Sequence, residues 1–155
     1  MNGDYVVDTS VLIQAFIRDS ETARARSVVN QIVLNPAFRV HTVEFTLAEC
    51  ANVLWKQTRF HGVDRAAVRQ SLTNILALPL IVESLTEVLP AALVIAMDSG
   101  LAVYDSVQLA LAQRLQLPLL TVDRKQAETA AGLGVVLKPL SDFPEYRESE
   151  GGSEN

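Results

Sequence analysis

Residues 6–12 read "VVDTSVL", an aspartate set directly between two apolar runs. The preceding "YVV" has the Val-rich character of a buried strand, and residues 9–17 carry a helical period, so Asp8 stands at a strand-to-helix turn. Outward from this point the alternation repeats. Apolar runs at "FRVHT" (38–42), "LPLIVESL" (78–85), "LPLLTVD" (117–123) and "GVVLK" (134–138) are separated by helical patterns over 21–34, 43–57, 65–76, 87–96, 103–116 and 124–132. That order of strands and helices predicts an α/β fold whose central, mostly parallel sheet has five strands.

The 155 residues fit one domain, residues 1–141, followed by an acidic C-terminal tail, 142–155. The tail, "DFPEYRESEGGSEN", carries five acids and one arginine without apolar periodicity, and reads as a flexible, solvated extension. It accounts for most of the formal charge of −5, leaving the body close to neutral. Bulk charge therefore gives no general nucleic-acid footprint, but acids neutralised by bound cations would leave a basic remainder. The one cysteine, Cys50, excludes an internal disulfide and falls in an apolar helical pattern, as core. A Cys/His nucleophile would have only His41 or His61 as base, and nothing places either beside the thiol. No basic segment leads into an apolar run at the N-terminus, and the longest apolar stretch is too short to span a membrane, so a cytoplasmic location is expected.

Four acids stand out, and each has a local explanation. Asp8 can cap the helix it opens, and Asp123, after "LLTV", can form a capping box with Gln126. Glu49 shares a helix face with Phe45 and Val53; its local alternative is a capping box with Thr46, which would start the helix late. Asp105 falls in the first turn of its helix, where an acid favours the dipole. Two of these acids, however, end strands on the same edge of a parallel sheet, where ligands bind. Ser10 and Thr121 add hydroxyls two residues from Asp8 and Asp123.

Four carboxylates about 6 Å apart would repel by roughly 3 kcal/mol per pair at an effective dielectric near about 20. Summed, that approaches the whole stability of a domain. Divalent cations relieve it, and an all-oxygen set suits one or two Mg²⁺ or Mn²⁺ ions better than Zn²⁺. The chemistry such a site favours is metal-assisted phosphodiester hydrolysis.

In order and context, "VVDTSVL", "TLAECANVLWK", "LAVYDSVQLALAQRL" and "LLTVDRK" resemble the PIN-domain nucleases, and among them the VapC-like ribonuclease toxins of type II toxin–antitoxin systems. The likeness runs from Tyr5 to about Leu140. It implies a PIN-like three-layer α/β/α sandwich and an endoribonuclease, with the metal-binding, catalytic acids on Asp8, Glu49, Asp105 and Asp123. Ser10, Thr121 and Asn52 would be supporting polar groups. It further implies an RNA substrate, a cognate protein antitoxin and a homodimer. Ser106 and Gln108 depart from the family pattern, which puts helix packing and dimer contacts in question more than metal binding. Lys56, Arg59, Arg124 and Lys125 follow the second and fourth acids closely and are candidate phosphate contacts, or solvated helix-end charges.

Three rivals remain at this stage. A haloacid-dehalogenase-like phosphatase needs an acid two residues after the first aspartate, where this chain has Ser10. A non-catalytic PIN-like module that only binds RNA or a partner would be expected to have lost an acid. A DNA-directed nuclease of the same architecture would share the metal site.

Overall fold

The computed structural model describes residues 1–146. Its sheet contains β1 (Gly3–Val7), β2 (Phe38–Val43), β3 (Ile81–Glu83) and β4 (Leu119–Leu120), ordered β3-β2-β1-β4 with every pairing parallel. The fifth apolar run adds less than a strand. It meets β4 through the parallel bridge Leu119↔Leu137, with Leu119 N–H donating to Val136 O at 2.8 Å and Lys138 N–H to Leu119 O at 2.9 Å. A partner strand of two residues offers no longer ladder.

Among the described residues, seven α-helices connect and cover the sheet: α1 (Thr9–Leu12), α2 (Thr22–Leu34), α3 (Glu44–His61), α4 (Arg65–Leu76), α5 (Leu85–Ser99), α6 (Val103–Leu115) and α7 (Arg124–Gly132). The helix expected over 9–17 is α1 continued as a 3₁₀ turn, Ile13–Phe16. α3 runs a turn further than its periodicity indicates, because the stop is Gly62, which takes the left-handed φ of 67° open to glycine. Asp64 then caps α4, accepting from the N–H groups of Ala66 and Ala67.

Strand alternation divides the apolar residues between two cores. Tyr5, Val7, Val40 and Leu120 face α2, α3 and α4, whose Val28, Ile32, Cys50, Leu54 and Ile75 are buried there. Val6, Val43 and Leu119 face the other way, against Val88, Ala92, Ile95, Val107 and Leu111 of α5 and α6. The result is the expected three layers, with β1 central and its carboxyl end directly over the α1 turn.

The body extends past residue 141. Phe143 is 2% exposed and meets Phe38 edge-on at 5.9 Å; Ser27 Oγ donates to Pro144 O at 2.6 Å, and Tyr146 N–H donates to Ala23 O. Residues 142–146, read from composition as the start of the tail, are therefore docked, because one aromatic anchor outweighs the charges around it. The rest of that tail, 147–155, lies outside the described residues. Among the described residues no single helix is long and apolar enough to cross a membrane.

Candidate active site

β1 and β4 are neighbours, so the acids that end them are brought side by side. Asp8 donates its N–H to Leu120 O at 3.0 Å, which locks the two strand ends together. Its carboxylate caps α1, Oδ2 accepting from Ser10 N–H at 3.0 Å, as the local reading expects. Oδ1 accepts a second bond, from Gln126 Nε2 at 3.2 Å, and the residue is only 6% exposed. Asp123 caps α7, accepting from Gln126 N–H at 2.8 Å. The reciprocal half of a capping box is absent: Asp123 N–H goes to Thr121 Oγ1 at 3.0 Å, and the Gln126 side chain turns toward Asp8.

Ser10 and Thr121 meet at 3.3 Å between their hydroxyl oxygens. Thr121 commits its hydrogen to Gln126 Oε1 at 2.8 Å, which leaves Ser10 as the donor to Thr121, while Ser10 Oγ accepts Val122 N–H at 3.2 Å. The two supporting hydroxyls thus stitch the α1 turn to the β4 loop.

Glu49 reaches the same place from α3. Thr9 donates its hydroxyl to Glu49 Oε1 at 2.8 Å. Burial is the foremost cause pushing the Glu49 carboxyl up; the Thr9 bond opposes it, and the charges of Asp8 and Asp105 add to it. Asp105, in the first turn of α6, is also raised, first by burial and then by Asp123 and Asp8, with Lys125 acting against them. Glu49 thus lies within electrostatic reach of Asp8 and Asp105, and Asp105 within reach of Asp8 and Asp123. Thr46 does not cap α3: the helix already starts at Glu44, and the Thr46 hydroxyl accepts from Gln108 Nε2. The two family departures, Ser106 and Gln108, are both fully buried, with Ser106 Oγ returning to Ala102 O at 3.0 Å.

The remaining sequence candidates are dispersed. Asn52 and Lys56 are exposed along α3 beyond Glu49. Arg59 lies over the Trp55 and Phe60 rings, 5.7 and 5.4 Å from their centroids, and Arg124 pairs with Glu128 at 2.7 Å. Lys125 is the candidate base whose charge acts on an acid of the cluster. Two residues the sequence reading did not assign to the site belong to it: Thr9, beside Asp8, and Gln126, whose only sequence signal was its place in a capping motif.

A thiol mechanism is unsupported, since burial first, and then Glu49 and Asp8, push the Cys50 thiol up to about 12. His41 is engaged elsewhere, Nδ1 standing 2.8 Å from Glu83 Oε1. Among the described residues no three His, Cys, Asp or Glu side chains are drawn into a ready-made set of metal ligands. The oxygens that these acids and their neighbours Thr9, Ser10 and Thr121 offer are carboxylate and hydroxyl oxygens, a donor set that would suit a hard cation such as Mg²⁺, bound through one or two carboxylates with retained waters.

Comparison with known proteins bears on the same residues. The PIN domain family matches residues 5–132, which contain all four acids. Ribonuclease VapC3 of Pyrobaculum aerophilum is 33% identical over 126 residues, covering 79% of this chain and 92% of that protein. Among solved structures, PAE2754 from Pyrobaculum aerophilum superposes with a TM-score of 0.68 at 25% identity, over 92% of this chain and 94% of that one. FitAcB from Neisseria gonorrhoeae shares the fold, with a TM-score of 0.60 at 14% identity over 90% of this chain and 99% of its own. The fold, the sheet edge and the span of the match agree, and the chain belongs to the PIN-domain family, with a VapC ribonuclease among its relatives.

Proposed function

We propose that this protein is a divalent-metal-dependent endoribonuclease, hydrolysing RNA phosphodiester bonds, and the toxin of a toxin–antitoxin pair. The observation that supports the reading is that Glu49 and Asp105, from α3 and α6, are raised by burial and by the charges of acids at the β1 and β4 ends, Asp8 acting on both and Asp123 on Asp105. These carboxylates would hold one or two Mg²⁺ or Mn²⁺ ions. When bound, such ions supply the charge neutralisation and Lewis acidity that phosphodiester hydrolysis requires.

The chain's own contribution is placement. Ser10 N–H and the Gln126 amide fix the two oxygens of Asp8, and Thr9 fixes one oxygen of Glu49. Ser10 and Thr121 hold the β1 and β4 ends in register. Lys125 stands ready to meet a phosphate, and Asn52, Lys56, Arg59 and Arg124 extend the candidate contacts away from the crevice. Ribonuclease action is supported by the relationship to Ribonuclease VapC3. A cytoplasmic location and a cognate antitoxin that blocks the cleft complete the reading. So does a homodimer, for which α5 offers exposed Leu93, Val94 and Met97 as a face for a second copy.

The test is cleavage of a mixed RNA pool, with a DNA pool of the same sequences alongside, in Mn²⁺, in EDTA and with Asp8→Asn. RNA cleavage that disappears in EDTA and in the variant is expected. Cleavage surviving both would reject the metal site, DNA cleavage alone would reject the RNA assignment, and inertness with tight partner binding would favour the non-catalytic module. The adjacent gene is expected to encode a small protein with a DNA-binding N-terminal part and a flexible arm.

A further inference from the structure

We infer that Gln126 is the positioning residue of the acid cluster, a neutral buried amide that fixes the Asp8 carboxylate without cancelling its charge. The inference rests on the proposed metal-dependent reading of the site. Gln126 is 2% exposed, and every polar group of its side chain is used. Nε2 donates to Asp8 Oδ1 at 3.2 Å and to the main-chain oxygen of Asp105 at 3.0 Å, while Oε1 accepts from the Thr121 hydroxyl at 2.8 Å. Its own N–H donates to Asp123 Oδ1 at 2.8 Å. One residue of α7 therefore touches three of the four acids and joins the ends of β1, α6 and β4.

The chemistry makes the amide specific. The Asp8 carboxylate and the Asp105 carbonyl can only accept, so this orientation of the amide satisfies all three partners, whereas the reverse would set its oxygen against two acceptors. A lysine or arginine at this position would also hold Asp8, but it would neutralise the carboxylate and compete with a cation. An apolar residue would fill the space and remove one bond each from Asp8 Oδ1, the Asp105 carbonyl and the Thr121 hydroxyl, the first of them buried. Glutamine orients Asp8 and keeps the negative field intact for a ligand.

Gln108 provides the internal contrast. It is equally buried, and its Nε2 donates to Thr46 Oγ1, crosslinking α6 to α3, but its Oε1 has no partner among the described residues and it touches none of the four acids. Burial of a glutamine and support of the cluster are thus separable by experiment.

The test titrates Mn²⁺, followed by its electron paramagnetic resonance signal, into the purified full chain and into Gln126→Met, Thr121→Val and Gln108→Met, with thermal unfolding of each in EDTA. Gln126→Met is expected to lose about 10–100-fold in Mn²⁺ affinity, the range for groups that orient metal ligands. Thr121→Val, which frees the amide to turn, is expected to lose less, and Gln108→Met to change its melting temperature while keeping Mn²⁺ affinity within about twofold. Wild-type affinity in Gln126→Met overturns the inference alone, as does an equal loss in Gln108→Met. Absence of Mn²⁺ binding by the wild type overturns the inference together with the metal-dependent reading. Should Gln126→Met fail to fold, Thr121→Val decides, and unchanged affinity there overturns the assignment.

Discussion

Asp4 and Glu49 carry the same chemical group, and the fold treats them in opposite ways. On the face of the sheet, Asp4 accepts two bonds from Arg39, at 2.9 Å from Nε and 2.7 Å from Nη2, and His41 Nε2 lies 3.6 Å away. The Arg39 guanidinium holds the Asp4 carboxyl below the usual carboxylate range. Among the proposed site acids, Glu49 and Asp105 are pushed above that range; the Glu49 carboxyl is held by the neutral Thr9 hydroxyl, and the Gln126 amide holds the Asp105 main-chain oxygen. Where an acid serves structure, the chain brings its own counter-charge. Where the counter-charge is left to a ligand, the chain supplies neutral donors that orient, with Lys125 opposing the rise of Asp105 only as the last of its causes.

The contrast is broken most sharply by neutralising one acid on each side. Asp105→Asn is expected to lower RNA cleavage by about 10³-fold or more, because bound metal supplies several kcal/mol of transition-state charge stabilisation. The same change should raise the melting temperature in EDTA by a few degrees, since it removes repulsion. Asp4→Asn should leave cleavage intact and change the melting temperature little, because its pair with Arg39 is solvent-exposed. Equal effects of the two substitutions on cleavage would erase the distinction.

Next in size is the effect of the cation on the fold. At about 100 times its dissociation constant, Mn²⁺ is expected to stabilise the protein by about 2.7 kcal/mol, or about 5–10 °C in melting temperature for a chain of this length. An unchanged melting curve for the wild type, or the same shift in Asp8→Asn, would count against the crevice as the binding place.

The pH dependence sharpens the comparison further. Glu49 and Asp105 bind protons more tightly folded than unfolded, so the stability they confer is present below their ordinary values of 4.5 and 3.8 and is withdrawn as pH rises through the raised folded values. Asp4 works the other way: its contribution is present above 3.8 and lost as pH falls through its lowered value. In EDTA, a melting temperature that falls as pH rises above the ordinary carboxylate values is expected for the wild type, and Glu49→Gln should flatten the slope. A slope unaffected by that substitution would contradict the assigned cause.

The smallest effect belongs to the paired side. Arg39→Ala should return the Asp4 carboxyl toward its ordinary 3.8, read by NMR titration, with little change in melting temperature, because the pair is solvent-exposed.

Particular residues show where reading the sequence succeeds and where it stops. Asp8 was legible twice over, as a cap and as a strand-end acid, and both roles coexist in its two oxygens. The bounds of α4 and α7 were legible because Asp64 and Asp123 cap them through bonds only two or three residues long. Phe143 was not, since the acids around it dominate the local composition while its burial depends on Phe38, more than a hundred residues earlier. Gln126 looked like half of a capping box, and only the through-space position of Asp8 turned its amide inward.

The sequence alone determined what operates over a few residues. Strand alternation set which valines face which core, helical period placed α2 through α7, and short side chains at helix starts fixed the caps, because these depend on backbone geometry and near neighbours. The order β3-β2-β1-β4 and the shared field of residues 8, 49, 105 and 123 were decided by the tertiary structure. So was the bond from Gln126 to Asp8, which spans 118 positions of chain. Such contacts arise only when all the layers close on one another, and no local propensity encodes them.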